Sequence, residues 1–245
     1  FLNNVKEAMR VTTLRPIVRN NEGSGNGTDG IVIRGTAFPG DGALNIFPNS
    51  LPYVIESGVY TTLSVADGGD LTIKPGVVFR NKHDAIIEVA GVLRIEGNNA
   101  EDVLLTSLTD SASSTWRGIE VKSTGTLLGN GFTLRYAGQG CWRRSPCAGI
   151  LVNGGRVELQ NVLIEKNRDA GIRLNGSIGS YFTDVSFVGH QEPLAQATGL
   201  VLINSDIGTD TLHFADNAIG VSVTNSTVSV SDPSTITYSG NFIDA

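Results

Sequence analysis

Few residues of this chain stand where chemistry would need them. Hydrolysis of a polysaccharide takes two carboxylates at a defined separation, roughly 5–10 Å. Along the most regular phrase of the sequence, one outward face carries Thr72, Arg94, Glu120, Leu151, Arg173, Val201 and Ser222, and Glu120 is its one acid. A lyase-type site takes a cationic base with acid or calcium ligands, yet Arg173 stands between the aliphatic Leu151 and Val201. Arg94 and Glu120 are expected to pair across adjacent turns of the chain, an exposed contact worth little. His213 shares a second face with Arg135, Leu163, Ser186 and Thr237 and has no evident Ser, Cys or acid companion. His83-Asp84 with Arg80 reads as a charged, solvated corner. Asp67-Gly68-Gly69-Asp70 reads as a turn without the repeated acidic ligands that calcium prefers. No catalytic residue, metal ligand or cofactor is assigned, and the reading leans away from an enzyme.

Recognition is better served. Cys141 and Cys147 flank Trp142, Arg143, Arg144, Ser145 and Pro146. Two cysteines do not fill a four-ligand zinc site. A small disulfide-closed loop is the expectation, with free thiols the alternative, and it would imply an oxidising, extracytoplasmic compartment. Trp142, Arg143 and Arg144 then form the candidate recognition loop, since an aromatic beside guanidinium groups stacks on a sugar or docks a partner. The alternative is a loop held against the body of the protein by its Trp. Leu151 and Val201 form a candidate interface patch, covered by the segment 191–197 or by a partner.

The elements that must position these residues come from a repeat. The phrase small residue, Gly, aliphatic, any, aliphatic begins at Gly118, Gly149, Gly171, Gly199 and Gly220, at spacings of 31, 22, 28 and 21. Looser copies begin at Gly69 and Gly91. A second phrase, often closing on Asn, runs through Val162-Leu163-Ile164-Glu165-Lys166-Asn167, Leu212-His213-Phe214-Ala215-Asp216-Asn217 and Ile236-Thr237-Tyr238-Ser239-Gly240-Asn241. A third apolar stretch sits between them, as at Val157 with Leu159 and Val228 with Val230. Each period of 21–22 residues thus holds three short alternating strands, none stable alone. Stacked coils satisfy one another's backbone and bury a continuous interior. Gly and Asn suit the corners, and Asn at like corners stacks as a side-chain ladder. The two long intervals hold insertions at one corner, the cysteine loop and 191–197.

These phrases resemble the right-handed parallel β-helix repeat of pectate-lyase-like proteins and many bacterial surface proteins. Leu71-Thr72-Ile73-Lys74-Pro75-Gly76-Val77-Val78-Phe79 resembles the opening coils of bacterial secreted β-helix domains, and Trp116-Arg117-Gly118-Ile119 is similar to their Trp-Gly-Gly-Ile phrase. The resemblance covers roughly residues 51–245. It implies an all-β, three-sided right-handed parallel β-helix; it leaves function open, because such folds host lyases, hydrolases, epimerases, adhesins and passive stalks.

Residues 1–50 follow the repeat poorly and are expected to form an N-terminal cap or an extended arm, with the β-helix at 51–245. The chain starts at Phe1, as a processed form or an excised fragment would. It finishes where another coil would begin, and an uncovered coil end is a template for head-to-tail stacking. The net charge of −6 argues against a nucleic-acid partner. No apolar run approaches the ~20 residues of a membrane span. The expectation is an extracellular or cell-surface structural β-solenoid, self-associating through its N-terminal arm and its ends into a fibre. The alternative is a carbohydrate-active or carbohydrate-binding β-helix with a glycan partner. Sequons stand at Asn26, Asn175 and Asn225.

Overall fold

The computed structural model describes residues 1–12, 18–34, 36–38, 43–56, 62–112, 115–138, 147–190, 197–232 and 235–241. The described residues are all-β with 0% helix and wind into a solenoid of about 8 turns. Every described strand pair is parallel, as stacked coils require. Each turn visits three walls. The first stacks β3 (Thr36–Phe38), β6 (Thr62–Val65), β9 (Ile86–Val89), β12 (Gly118–Val121), β14 (Ile150–Asn153), β16 (Ala170–Asn175), β18 (Thr198–Ile203) and β21 (Ile219–Thr224). The second stacks β4 (Ala43–Ile46), β7 (Asp70–Ile73), β10 (Val92–Glu96), the first halves of β13 (Thr126–Arg135), β15 (Arg156–Glu165) and β17 (Ile178–Val188), then β19 (Asp206–Thr209) and β22 (Thr227–Val230). The third holds β1 (Glu7–Val11), β2 (Thr28–Ile33), β5 (Tyr53–Ile55), β8 (Val78–Asn81), β11 (Val103–Ser107), the second halves of β13, β15 and β17, β20 (Leu212–Ala215) and β23 (Ile236–Ser239).

Period-two alternation lays the inward residues in columns. On the first wall Leu63, Ile87, Ile119, Ile150, Ile172 and Leu200 are ladder partners in turn, and all belong to one buried core. On the third wall the column becomes aromatic towards the C-terminal end, where Phe187 and Phe214 stack at 5.0 Å and Phe214 and Tyr238 at 5.3 Å. Gly129 interrupts the second wall's inner column for a reason of space. A Cβ there would lie 2.4 Å from the Phe132 ring, which fills the volume instead.

Corners close the coils. Between the second and third walls, Gly131, Asn161 and Asp184 each take a left-handed φ of 61°, 53° and 53°, so one residue turns the strand without a loop. Where the third wall meets the first, Asn167, His190, Asn217 and Asn241 form a ladder. Asn167 Oδ1 accepts from the Ala137 N–H, His190 Nδ1 from Asn167, Asn217 Oδ1 from His190 and Asn241 Oδ1 from Asn217. Asn217 and Asn241 also donate to Phe187 O and Phe214 O. A second ladder, of serines, runs between the first and second walls, where Ser177 N–H donates to Ser205 Oγ and Ser205 N–H to Ser226 Oγ.

Register corrects several expectations. The segments after Gly69 and Gly91 are not copies of the first phrase: Leu71 and Leu93 stack on Leu44 and Leu127 in the second wall. Both walls alternate Leu/Ile with polar residues, so the phrase alone does not separate them. Gly30-Ile31-Val32-Ile33 falls in the third wall, pairing with Tyr53–Ile55. Strands before residue 50 hydrogen-bond across it, β2 with β5 and β4 with β7. Among the described residues no helix is long and apolar enough to cross a membrane.

His190 makes the Asn ladder sensitive to acid. Burial pushes its pKa down to about 3, whereas in the unfolded chain it titrates near 6.5. The unfolded state therefore binds the proton first. The stability held by the neutral ring is complete above about pH 6.5 and is lost as pH falls from there towards 3. His190→Asn, which restores the residue of the neighbouring corners, is expected to remove about 2 kcal/mol of wild-type destabilisation between pH 7 and pH 5. Urea unfolding of both proteins at the two pH values measures the difference.

Candidate functional site

The outward columns follow from the same register. On the first wall Ser64, Glu88, Glu120, Leu151, Arg173, Val201 and Ser222 are successive partners. Thr72 and Arg94 are not in this column; they lie on the second wall, and Glu88 holds the place beside Glu120. Two carboxylates thus occupy adjacent coils, about 4.8 Å apart along the stack. Lys122 Nζ lies 2.7 Å from Glu120 Oε1 and 3.7 Å from Glu88 Oε1. Asn153 donates to Glu120, and Asn175 to Asn153. The ammonium thus bridges the two carboxylates and offsets one of their two charges. Arg94 pairs with Asp70 at 3.0 Å rather than with Glu120.

Leu151 and Val201 flank Arg173 on this wall. With Ala148, Ala170 and Ile203 they form a small apolar cluster separate from the core, in which Val201 is buried and Leu151 partly buried. The Arg173 Nε is buried without a hydrogen-bond partner among the described residues. Cys147 is buried, and its N–H donates to Asp169. Cys141, Trp142, Arg143 and Arg144 lie outside the described residues, as does most of the insertion at 191–197.

On the third wall, too, the register differs from the expected one. Arg135 is the partner of Glu165, two residues along from the column of Leu163, Ser186, His213 and Thr237. Its guanidinium binds Asp110 and Glu165 together, at 2.5 and 2.9 Å. Burial pushes Asp110 up, but hydrogen bonds from Arg135 and Thr106 outweigh it and hold its carboxyl below the usual range. His213 does have companions: Nδ1 is 2.7 Å from Thr237 Oγ1 and Nε2 is 3.6 Å from Asp184 Oδ1. Thr237 and Asp184 are exposed and His213 is half-buried, without the water-excluding pocket that nucleophilic catalysis uses. His83 and Asp84 pair at 2.9 Å in open solvent. Among the described residues no group of three or more His, Cys, Asp or Glu is arranged to hold a metal. Of the sequons, the Asn26 and Asn175 amides already donate to Asp29 and Asn153.

The second wall carries a groove that the sequence motifs did not single out. Its volume is about 320 Å³. Two outward columns form it, Arg94–Leu128–Glu158–Tyr181 and Glu96–Asn130–Gln160–Thr183, each running coil to coil. Tyr181 ends the first column and is 42% exposed. One side of its ring rests over Gly208, where a Cβ would stand 2.5 Å from Cδ2. Its hydroxyl donates to Asp210 at 2.7 Å. Hydrogen bonds from Ser231 and then Tyr181 hold the Asp210 carboxyl below its usual range, while that carboxylate pushes the Tyr181 hydroxyl up, so the proton stays on the phenol. Beside it, an irregularity between Ile178 and Ser180 leaves Ile178 72% exposed on the same strand. The charged lining residues are already paired: Glu96 with Lys74 at 2.5 Å, Glu158 with Arg156, Arg94 with Asp70. Gly208 was the signal in the sequence, a glycine inside a strand phrase where a neighbouring ring approaches the backbone.

Comparison with protein-family models, with curated proteins and with solved structures finds no match.

Lys122→Met would leave Glu88 and Glu120 facing one another without their ammonium. Unfolding free energy is expected to fall by about 0.5–1 kcal/mol at ~0.05 M NaCl, and the deficit to shrink at ~0.5 M NaCl, where salt screens the repulsion. Paired denaturant titrations at the two salt concentrations test this.

Proposed function

We propose that the chain is a non-enzymatic β-solenoid scaffold of the extracellular, pectate-lyase-like kind, and that its second wall binds a glycan. The observation that carries this reading is the Tyr181 platform. An exposed aromatic ring, backed by a glycine and tied down at its hydroxyl, offers an apolar face to the C–H face of a sugar at little entropic cost. Around it Asn130, Gln160 and Thr183 supply the neutral donors and acceptors that sugar hydroxyls use. Carboxylates held in ion pairs fit orientation of a ligand better than proton transfer. The disulfide between Cys141 and Cys147 and the loop of Trp142, Arg143 and Arg144 belong to the same reading, as a second contact at another corner.

A second reading is self-association. β1 and β23 each pair on one edge only among the described strands, Val223 and Tyr238 in the last coil are exposed, and unpaired parallel edges recruit further strands. Residues 1–50 would then serve as cap or arm at one end. Sedimentation of the purified chain over a concentration series separates this reading from a monomeric scaffold.

Tyr181→Ala is expected to cost about 1–2 kcal/mol of glycan binding, roughly 5- to 30-fold in affinity, with an unchanged unfolding midpoint. Retention on immobilised polysaccharides reads the first, and thermal unfolding the second. Release of reducing or unsaturated ends from the bound glycan would contradict the non-enzymatic part of the reading. Equal retention of wild type and variant would remove Tyr181 as the platform.

A further inference from the structure

Resting on the groove as a glycan site, we propose that its ligand is an uncharged, extended polysaccharide lying parallel to the solenoid axis, about one sugar ring per coil over four coils. The direction follows from the two columns. Each coil contributes one pair to the groove: Arg94 with Glu96, Leu128 with Asn130, Glu158 with Gln160, Tyr181 with Thr183. Successive pairs are displaced by about 4.8 Å along the axis, close to the length of one pyranose in an extended chain. Leu128 and Tyr181, the apolar members, stand two coils apart and would meet alternate rings.

The absence of charge on the ligand follows from the electrostatics of the lining. It contains one cation, Arg94, and two anions, Glu96 and Glu158. The guanidinium of Arg94 is already engaged by Asp70. The cations that balance the two glutamates, Lys74 and Arg156, lie outside the lining. Asp210 sits under the hydroxyl of Tyr181. A uronate carboxylate entering this groove would lose water and face two lining carboxylates against one guanidinium, whose charge Asp70 already meets through Nε. A neutral sugar meets matched partners. Gln160 makes no side-chain hydrogen bond among the described residues, and the Asn130 amide uses only its oxygen, which accepts from Asn161. Each of these two amides thus has an N–H pair without a partner among the described residues.

The test is calorimetric titration of the intact chain with neutral β-linked gluco-, xylo- and manno-oligosaccharides of two to six units, and with oligogalacturonates of the same lengths. For at least one neutral series, affinity should rise with each sugar up to about four and then level. It should change less than about twofold between ~0.1 and ~0.5 M NaCl. Oligogalacturonates should bind at least about tenfold more weakly, and Gln160→Ala should lower the affinity of the four-unit neutral ligand by about tenfold. Oligogalacturonate binding equal to or tighter than neutral binding, weakened by salt and by Tyr181→Ala, overturns the uncharged ligand and leaves the groove reading standing. Affinity that stops rising at two units overturns the axial alignment. Failure of every series to bind overturns both this inference and the groove reading.

Discussion

Everything on this protein's surface depends on coil-to-coil register. A parallel ladder fixes which residue of one turn lies over which residue of the next, and a slip of one position would turn every core aliphatic outward. The corners hold that register. At one corner Asn167, His190, Asn217 and Asn241 each reach from one coil to a backbone N–H of the coil before. At another the hydroxyls of Ser205 and Ser226 accept in the same way from the N–H groups of Ser177 and Ser205, and the Ser177 hydroxyl donates to Gly155 O. Buried side chains that satisfy a neighbouring backbone are costly to misplace, so the ladders lock the coils rotationally while the apolar columns hold them together.

The architecture was legible because the repeat is a statement about the interior. Gly-Ile-Leu-Val, Val-Leu-Ile and their copies name the inward columns, and Asn167, Asn217 and Asn241 name a corner. Outward columns were less legible, for the same reason. Their members are free to vary, so their alignment depends on assigning each phrase to the right wall. Placing Leu71 and Leu93 with Ile119 moved Thr72 and Arg94 onto the wrong face and hid Glu88, the true neighbour of Glu120. A two-residue offset did the same for Arg135. The partners of His213 come from the coils before and after it, Asp184 and Thr237, at separations in sequence that no short motif spans. His190 was hidden by type, since it stands in an Asn position as a neutral ring.

The chemistry is correspondingly spread. Charges on all three walls are met by partners one coil away, as Arg135 is by Asp110 and Glu165, Glu88 by Lys122 and Arg94 by Asp70. What such a surface offers is regular spacing. The groove on the second wall turns that spacing into a candidate binding track, with Tyr181 held in place by Gly208 below and Asp210 at its hydroxyl. A pattern that repeats with the coil is suited to a ligand that repeats as well.

The most direct measurement is a crystal structure of the chain with a neutral tetrasaccharide bound. The account requires sugar density over β10, β13, β15 and β17, running along the stack axis, with one ring against Tyr181 and an adjacent hydroxyl on Gln160. Density lying across the coils, or lodged on the first wall beside Glu88 and Glu120, would contradict it.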